Sequence, residues 1–220
     1  MAQKAQATAK DNLARVEESE RKAKEERDEA EAMIPKQLEL VFICDTTSSM
    51  GKQLENLKKD ISTILKTLKI ICGNIRVGFV AYKDTEESTY ITKVHSFEDS
   101  NVENFIKTLE VSGGGDTPEA MSNALEKATE LNWKTNEDWN RVIVVITDAP
   151  AHFEGKSYLL ARKFRDGKWQ GRVNCIYANK GDSKVEAFLK KLAKEGGGSY
   201  KEEGSDIITD LVESVYPKKK

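Results

Sequence analysis

Hydroxyl and carboxylate side chains cluster in the five residues that follow the first strongly apolar segment of the chain. Residues 38–44 are mainly apolar and predict a buried strand, and residues 45–49 (Asp-Thr-Thr-Ser-Ser) come directly after it. Strand side chains alternate between faces and the chain then bends, so Asp45, Thr47 and Ser49 can converge on one point. Oxygen-only ligands of this kind suit a hard cation such as Mg²⁺ or Mn²⁺.

Two later segments carry the same chemistry at positions that a sheet would bring near Asp45. Residues 113–119 form a glycine-rich loop with one hydroxyl and two acids, and Asp148 follows the apolar segment 141–147. Open α/β sheets bind their ligands at the carboxyl ends of the strands. Neighbouring strands lie roughly 4.8 Å apart, so Asp45 and Asp148 can face one cation if their strands are adjacent.

These residues also fit simpler roles. A Ser/Thr/Asp cluster before a helix commonly caps the helix, which is the alternative for Asp45 and Ser49. An acid in the first turn of a helix commonly pairs with the helix dipole, which is the alternative for Asp116 and Glu119. Phosphoryl-transfer hydrolases keep a nucleophilic aspartate at the end of such a first strand. Those enzymes need a second acid two residues later, where this sequence has Thr47.

Hydrophobic periodicity predicts the elements that position these segments. Apolar residues spaced by three or four positions predict helices at 50–68, 101–110, 118–131, 158–164, 185–193 and 207–215. Apolar or β-rich runs predict strands at 38–44, 74–83, 88–97, 141–147, 172–178 and, briefly, 199–200. The gap between the second and third strands is too short for a crossover helix, so these two strands should pair antiparallel.

The alternation of strands and helices elsewhere predicts an α/β fold of three layers. We expect a mostly parallel sheet with one antiparallel edge strand and helices on both faces. The segment 141–147 is the most apolar strand of the chain. It should therefore lie at the centre of the sheet, covered on both sides.

Composition limits the classes of function. The 35 basic and 37 acidic residues leave a formal net charge of −2, so no overall field attracts nucleic acid or an anionic membrane. No apolar run approaches the roughly 20 residues of a membrane span, and the N-terminus lacks a secretory signal. The cysteines number three, an odd count with two inside predicted strands. We therefore expect a cytoplasmic location.

The N-terminal segment differs from the rest of the chain. Residues 2–33 are rich in Ala, Glu, Lys and Arg and contain no Gly, Pro or aromatic residue, which predicts a helix. Small apolar residues recur every seven positions, but the companion heptad positions are polar. A solvated helix with i,i+4 ion pairs is the main interpretation, and a weak coiled coil that drives assembly is the alternative. We expect this extension at 1–35, a domain at 36–217 and a basic tail at 218–220.

Three motifs, in this order, resemble the metal-ion-dependent adhesion site of the von Willebrand factor type A family, also called I domains. That site reads Asp-x-Ser-x-Ser in the first loop, Thr in a glycine-rich loop and Asp after the central strand. By position the matching residues are Asp45, Thr47, Ser49, Thr117 and Asp148. Thr47 replaces the usual Ser but keeps its hydroxyl. The resemblance covers roughly residues 37–216 and implies a Rossmann-like fold.

The resemblance also implies a mechanism. The hydroxyls of Thr47, Ser49 and Thr117 would bind Mg²⁺ or Mn²⁺, while Asp45 and Asp148 balance its charge and orient water. A cation held mainly by neutral hydroxyls keeps much of its positive charge and an open coordination position. An Asp or Glu of a protein partner can then complete the shell with a charge-assisted contact. This implies a cation-dependent, adhesion-type binding module and not an enzyme.

Other polar residues are candidates for the rim of this site or for a second cation. Asp116 and Glu119 resemble acids that bind additional cations in integrin β-type relatives. Asp84 is predicted to be a loop acid near the rim. His152 follows Asp148 by four residues and could touch the ligand, but a lone exposed His is more often incidental. His95 is predicted to lie on an edge strand and is assigned no role.

A narrower resemblance gives a second hypothesis of function. The sequences of residues 80–84, 113–120 and 146–152 are similar to those of intracellular A domains that accompany atypical α-kinase domains in protists. The chain would then be the regulatory or recruiting part of an α-kinase-like protein serine/threonine kinase system. A structural role, in which the N-terminal helix drives assembly and the metal only stabilises the fold, is a third possibility.

Overall fold

The computed structural model of the protein describes residues 2–32, 36–85, 89–114, 118–179, 181–204 and 207–215. The chain divides into two compact units, residues 1–34 and 35–220. In the first unit, α1 (Ala2–Ala32) is a single long helix. Arg21 pairs with Glu18 and Glu25 at spacings of three and four residues, as expected for a solvated helix.

The second unit alternates strands and helices. Its strands are β1 (Gln37–Asp45), β2 (Asn74–Tyr82), β3 (Thr92–His95), β4 (Asn140–Thr147), β5 (Arg172–Tyr177) and β6 (Gly197–Glu202). Its α-helices are α2 (Gly51–Cys72), α3 (Val102–Lys107), α4 (Met121–Thr129), α5 (Glu154–Asp166), α6 (Ser183–Glu195) and α7 (Ile207–Val215). A short 3₁₀ turn, Ser48–Met50, precedes α2.

These strands form one sheet in the order β3-β2-β1-β4-β5-β6. The pair β2–β3 is antiparallel and the other neighbouring pairs are parallel. The prediction of a mostly parallel sheet with an antiparallel edge strand is therefore confirmed. Strands β1 and β4 are the two central strands, and Cys44 is in register with Ile146. Both strands thus end at the same edge, where Asp45 is the last residue of β1 and Asp148 directly follows β4.

Helices cover both faces of the sheet. Alternate residues of β1 therefore pack in different cores, one on each face. Leu40 and Phe42 pack in one core with α2, α3 and α7. Val41 and Ile43 pack in the other core with α4, α5 and α6. This arrangement is the predicted three-layer α/β fold, and it buries β1 almost completely.

One predicted helix start was wrong. The sequence suggested that Pro118 opens a helix, but α4 begins at Met121. Glu119 instead forms a parallel β-bridge with Ala151, in which its N–H donates to Pro150 O and its carbonyl accepts from His152 N. Glu119 therefore lies before the first turn of α4 and is not a dipole partner within it. The helix predicted at 101–110 is also shorter, since α3 ends at Lys107.

Within the described residues, no helix combines the length and the apolar character that crossing a membrane requires. The three cysteines, Cys44, Cys72 and Cys175, are buried free thiols that pack in the cores.

Candidate metal centre

Asp45 lies at the carboxyl end of β1 with its carboxylate buried. One oxygen, Oδ1, accepts hydrogen bonds from the backbone N–H of Thr47 (2.9 Å) and from the Thr47 hydroxyl (2.7 Å). The other, Oδ2, accepts from the hydroxyl of Thr147, the last residue of β4, at 3.0 Å. The carboxylate of Asp45 therefore connects the ends of the two central strands.

Ser49 continues this network toward solvent. Its Oγ lies 3.3 Å from Thr47 Oγ1 and donates to Asp148 Oδ1 at 3.1 Å. Asp45 and Thr47 are buried, whereas Ser49 is exposed and Asp148 is half-buried. The four side chains thus form one connected set of oxygens that leads from the buried edge of the sheet to its surface.

The hydroxyl groups are oriented favourably for a cation. Thr47 donates its hydroxyl hydrogen to Asp45, and Ser49 donates its hydroxyl hydrogen to Asp148. A hydroxyl has one hydrogen and two lone pairs, so its oxygen can still bind a metal while it donates to a carboxylate. Donor groups that consist only of oxygen, with two acids to balance charge, fit a hard divalent cation such as Mg²⁺.

The two carboxylates of the site also favour a bound cation. Burial raises the pKa of Asp45 to about 6, although the hydrogen bonds from Thr47 lower it, and the nearby charge of Asp148 raises it further. Two carboxylates so placed repel each other, and a cation would offset that repulsion. The residues described therefore fit the metal that the motif predicts.

The simpler capping role is not what the structure shows for this cluster. Thr47 precedes the 3₁₀ turn and Met50 precedes α2, and neither residue makes a side-chain cap. The hydroxyls of Thr47 and Ser49 instead take part in the network of the two acids.

The glycine-rich loop approaches the site from the side of Thr47. Gly113 O accepts from Ser48 N at 3.1 Å. Gly114 has a φ of +80°, and a Cβ at this position would lie 2.7 Å from the Thr47 Cβ. Only glycine fits a position that is both left-handed and this close to a neighbour. Thr117 and Asp116, the next predicted site residues, lie outside the described residues.

Asp84 and His152 form a pair that the sequence analysis did not anticipate. Asp84 is buried, and its Oδ1 lies 2.7 Å from His152 Nε2 and 2.5 Å from the backbone N of Thr85. Burial raises the pKa of Asp84, but these hydrogen bonds outweigh it and leave that pKa lowered. Asp84 is therefore an internally bonded acid, and His152 has a structural partner. Glu119 is also buried, beside the Gly114 backbone.

Three further residues around the site were missed. Asn179, which follows β5, donates from Nδ2 to Asp148 Oδ2 (3.0 Å) and to Ser49 O (2.9 Å). Gln53 of α2 in turn donates to Asn179 Oδ1 at 2.8 Å. Asn179 thus holds the Asp148 carboxylate and is itself held by Gln53, as outer groups around a metal site commonly do. A lone Asn after a strand gives no signal from which this role could be predicted.

Lys83 is the third residue that was missed. It follows β2 directly, its side chain is buried, and its ammonium donates to the backbone carbonyls of Thr46, Glu110 and Ser112. Three donors and three acceptors satisfy the ammonium completely.

Together these features define a class of protein: a doubly wound α/β domain with an oxygen-only site at the carboxyl ends of its central strands. The sequence matches the von Willebrand factor type A domain over residues 39–213. The chain therefore belongs to the von Willebrand factor type A domain family.

Two curated proteins show where related sequences occur. The alpha-protein kinase vwkA of Dictyostelium discoideum is 29% identical over 154 residues, which cover 66% of this chain and 24% of the kinase. A putative ariadne-like RING finger protein of Acanthamoeba polyphaga mimivirus is 26% identical over 126 residues, which cover 54% of this chain and 12% of that protein. The chain thus matches about a quarter or less of either relative.

Two solved structures share the fold. The pilus adhesin SpaC of Lactobacillus rhamnosus GG, in its open conformation, superposes with a TM-score of 0.63 at 8% identity, covering 81% of this chain and 30% of the adhesin. Proximal thread matrix protein 1 of the mussel byssus superposes with a TM-score of 0.56 at 16% identity, covering 81% of this chain and 44% of that protein. At these identities the likeness concerns the fold alone.

Proposed function

We propose that this chain is a divalent-cation-dependent protein-binding module that recognises an acidic residue of a partner. The observation that carries the proposal is the connected oxygen network of Asp45, Thr47, Ser49 and Asp148 at the ends of β1 and β4. Membership of a family that mediates protein binding supports it. We assign the chain no catalytic role.

In this proposal the hydroxyls of Thr47 and Ser49, with that of Thr117, hold Mg²⁺ or Mn²⁺. Asp45 and Asp148 balance the charge and hold the hydroxyl hydrogens away from the metal. The bound cation would keep positive charge and one open coordination position at the exposed end of the network. A carboxylate of the partner is the ligand that such a position favours, since the contact is charge-assisted.

Isothermal titration with Mg²⁺ and Mn²⁺ tests the metal site. Wild type should bind one cation and Asp45→Ala should not. Asp138→Ala is the matched control, because Asp138 is an exposed acid in the loop before β4, away from the site. Equal binding by wild type and Asp45→Ala, or no binding by wild type, would contradict the proposal.

A second experiment tests the recognition of an acid. Immobilised peptides are synthesised in pairs that differ only by Asp against Asn or Glu against Gln. They are then probed with the Mn²⁺-loaded protein, with and without chelator. We expect retention by acidic members only, and only without chelator. Retention of the amide members to the same extent would refute carboxylate recognition.

The likeness to an alpha-protein kinase favours a more specific setting. In this second candidate function, the chain recruits or regulates a kinase of that type in the cytoplasm. The measurement is whether protein kinase activity co-purifies with the tagged wild-type chain and is lost with Asp45→Ala. Kinase activity in neither preparation would speak against this setting while leaving the binding module intact.

We also propose that α1 is an extension that the binding domain does not require. A fragment that begins at Lys36 should fold and bind Mn²⁺ like the full chain. Light scattering of both forms decides whether α1 drives self-association. If α1 forms a coiled coil, the full chain should have the mass of an oligomer and the fragment that of a monomer. Unfolding of the fragment would refute the domain boundary.

A further inference from the structure

Lys83 occupies an unusual position beside the candidate metal centre. It is a lysine with 1% of its surface exposed, directly after β2. Its Nζ lies 2.9 Å from both Glu110 O and Ser112 O, and it also donates to Thr46 O. Burial of an ammonium is costly unless each of its hydrogens is bonded, so a lysine at this position needs a structural reason.

The reason lies in which segments it joins. Thr46 stands between Asp45 and Thr47 in the first site loop, whereas Glu110 and Ser112 lead into the glycine-rich loop. The carbonyl of Lys83 also accepts from Ala120 N at 3.3 Å, on the far side of that loop. One residue therefore contacts the first loop and both ends of the second.

Backbone hydrogen bonds also join the two loops. Ser112 N donates to Thr46 O at 3.2 Å, and Ser48 N donates to Gly113 O at 3.1 Å. The three carbonyls that point at this ammonium would otherwise repel one another, because their oxygens carry like partial charges. The ammonium converts that repulsion into attraction and holds the loops together.

We infer that Lys83 is a positioning residue of the metal centre, which fixes the loop of Asp45, Thr47 and Ser49 against the glycine-rich loop. The inference rests on the proposed function, because it assumes that these loops bind a cation together. Lys83 contacts no proposed ligand atom through its ammonium. It acts through the backbone of Thr46.

A purely electrostatic role would have the opposite effect on metal binding. Lys83 is close enough to Asp45 for their charges to interact. If charge alone mattered, removing this cation would strengthen the binding of Mg²⁺. If positioning dominates, removing it weakens the binding because the ligands are no longer held together. The sign of the change therefore distinguishes the two.

Arg141 provides the matched control. It is also a buried cation that donates to three backbone carbonyls, those of Lys134, Asn136 and Trp169. It lies at the start of β4, at the opposite end of that strand from Asp148. Arg141→Met should therefore destabilise the fold as Lys83→Met does, but without disturbing the site.

The experiment is Mg²⁺ titration calorimetry on wild type, Lys83→Met, Arg141→Met and Asp45→Ala, with thermal unfolding of each. We expect Lys83→Met to weaken Mg²⁺ binding by at least about tenfold, the effect typical of groups that orient metal ligands. Arg141→Met should bind within about threefold of wild type, well below that effect. Equal or tighter binding by Lys83→Met would overturn the inference, whereas no binding by wild type would contradict the proposed function instead.

A second measurement does not require any variant to fold. In metal-free wild type, the amide hydrogens of Ser48 and Ser112 should exchange with solvent as slowly as those of the strands. Slow exchange shows that the loops are held together before metal binds. Rapid exchange of both amides would overturn the inference.

Discussion

Ser49 Oγ donates a hydrogen bond to Asp148 Oδ1 at 3.1 Å, although the two residues are 99 positions apart in the chain. The contact exists because β1 and β4 are neighbouring parallel strands that end at the same edge of the sheet. It leaves the lone pairs of the Ser49 hydroxyl available to a ligand. The same relationship holds within the first loop, where the Thr47 hydroxyl donates to Asp45.

The first prediction concerns this hydroxyl chemistry at Thr47. Thr47→Ser keeps the hydroxyl and should bind Mn²⁺ within about threefold of wild type, less than the loss expected when a metal-orienting group is removed. Thr47→Val has nearly the same shape but no oxygen, and should lose binding. Calorimetric titration of the pair measures this. Metal binding by Thr47→Val at wild-type affinity would show that this hydroxyl is not a ligand.

The second prediction concerns the close approach of Gly114 to Thr47. A Cβ at Gly114 would meet Thr47 at 2.7 Å with φ at +80°, so Gly114→Ala should displace the first loop and weaken Mn²⁺ binding. The control is Gly155→Ala, in α5, where a Cβ meets nothing within 4 Å. That change should stabilise the protein by about 0.4–1 kcal/mol, because it restricts the unfolded chain, and leave metal binding unchanged. Similar affinities for the two variants would contradict the prediction.

The third prediction separates stability from function. Glu39 is fully buried at the other end of β1, where it pairs with Arg76 and accepts from Lys134 N at 2.8 and 3.0 Å. Glu39→Ala leaves the backbone N–H of Lys134 without its acceptor, while Arg76 keeps its ion pair with Glu98, and should cost about 1–3 kcal/mol in urea unfolding. It lies six positions before Asp45 in this strand, or about 20 Å away. Mn²⁺ affinity of the folded variant should therefore equal that of wild type, and a loss would show long-range coupling.

The fourth prediction concerns pH. His95 is buried against the ring of Phe105, with centroids 5.1 Å apart, and burial lowers its pKa although nearby Asp99 raises it. The unfolded chain then binds a proton near pH 6.5 that the folded protein does not, so stability rises with pH through this window. As pH falls below about 6.5, the contribution of neutral His95 is lost, by about 1.4 kcal/mol for each unit of pKa shift.

His95→Phe isolates this effect, because it keeps an aromatic ring but does not titrate. The unfolding free energy of wild type minus that of His95→Phe should decrease as the pH falls from about 6.5 to 5. Taking the difference removes the opposing contribution of Asp45, whose raised pKa stabilises the folded state at low pH. A difference that does not change with pH would contradict the prediction.

Much of the fold could be predicted because local pattern and global packing agree. The apolar runs of β1 and β4 fit the two central strands, which are buried on both faces. The residues that step by three and four along α2 form its buried face. The start of α4 could not be predicted from Pro118, because Glu119 is recruited into a bridge with Ala151 from a distant segment.

The order of the residues by itself determined the composition of the candidate site: which hydroxyls and acids follow which strands. The tertiary structure decided which of them meet, bringing together Asp45, Thr47, Ser49 and Asp148, while metal binding and the role of Thr117 stay predictions. Only the folded chain shows the contacts of Lys83 with the two site loops and of Asp84 with His152. The physical reason is that a side chain's partners depend on how distant segments pack, and local periodicity carries no information about that packing.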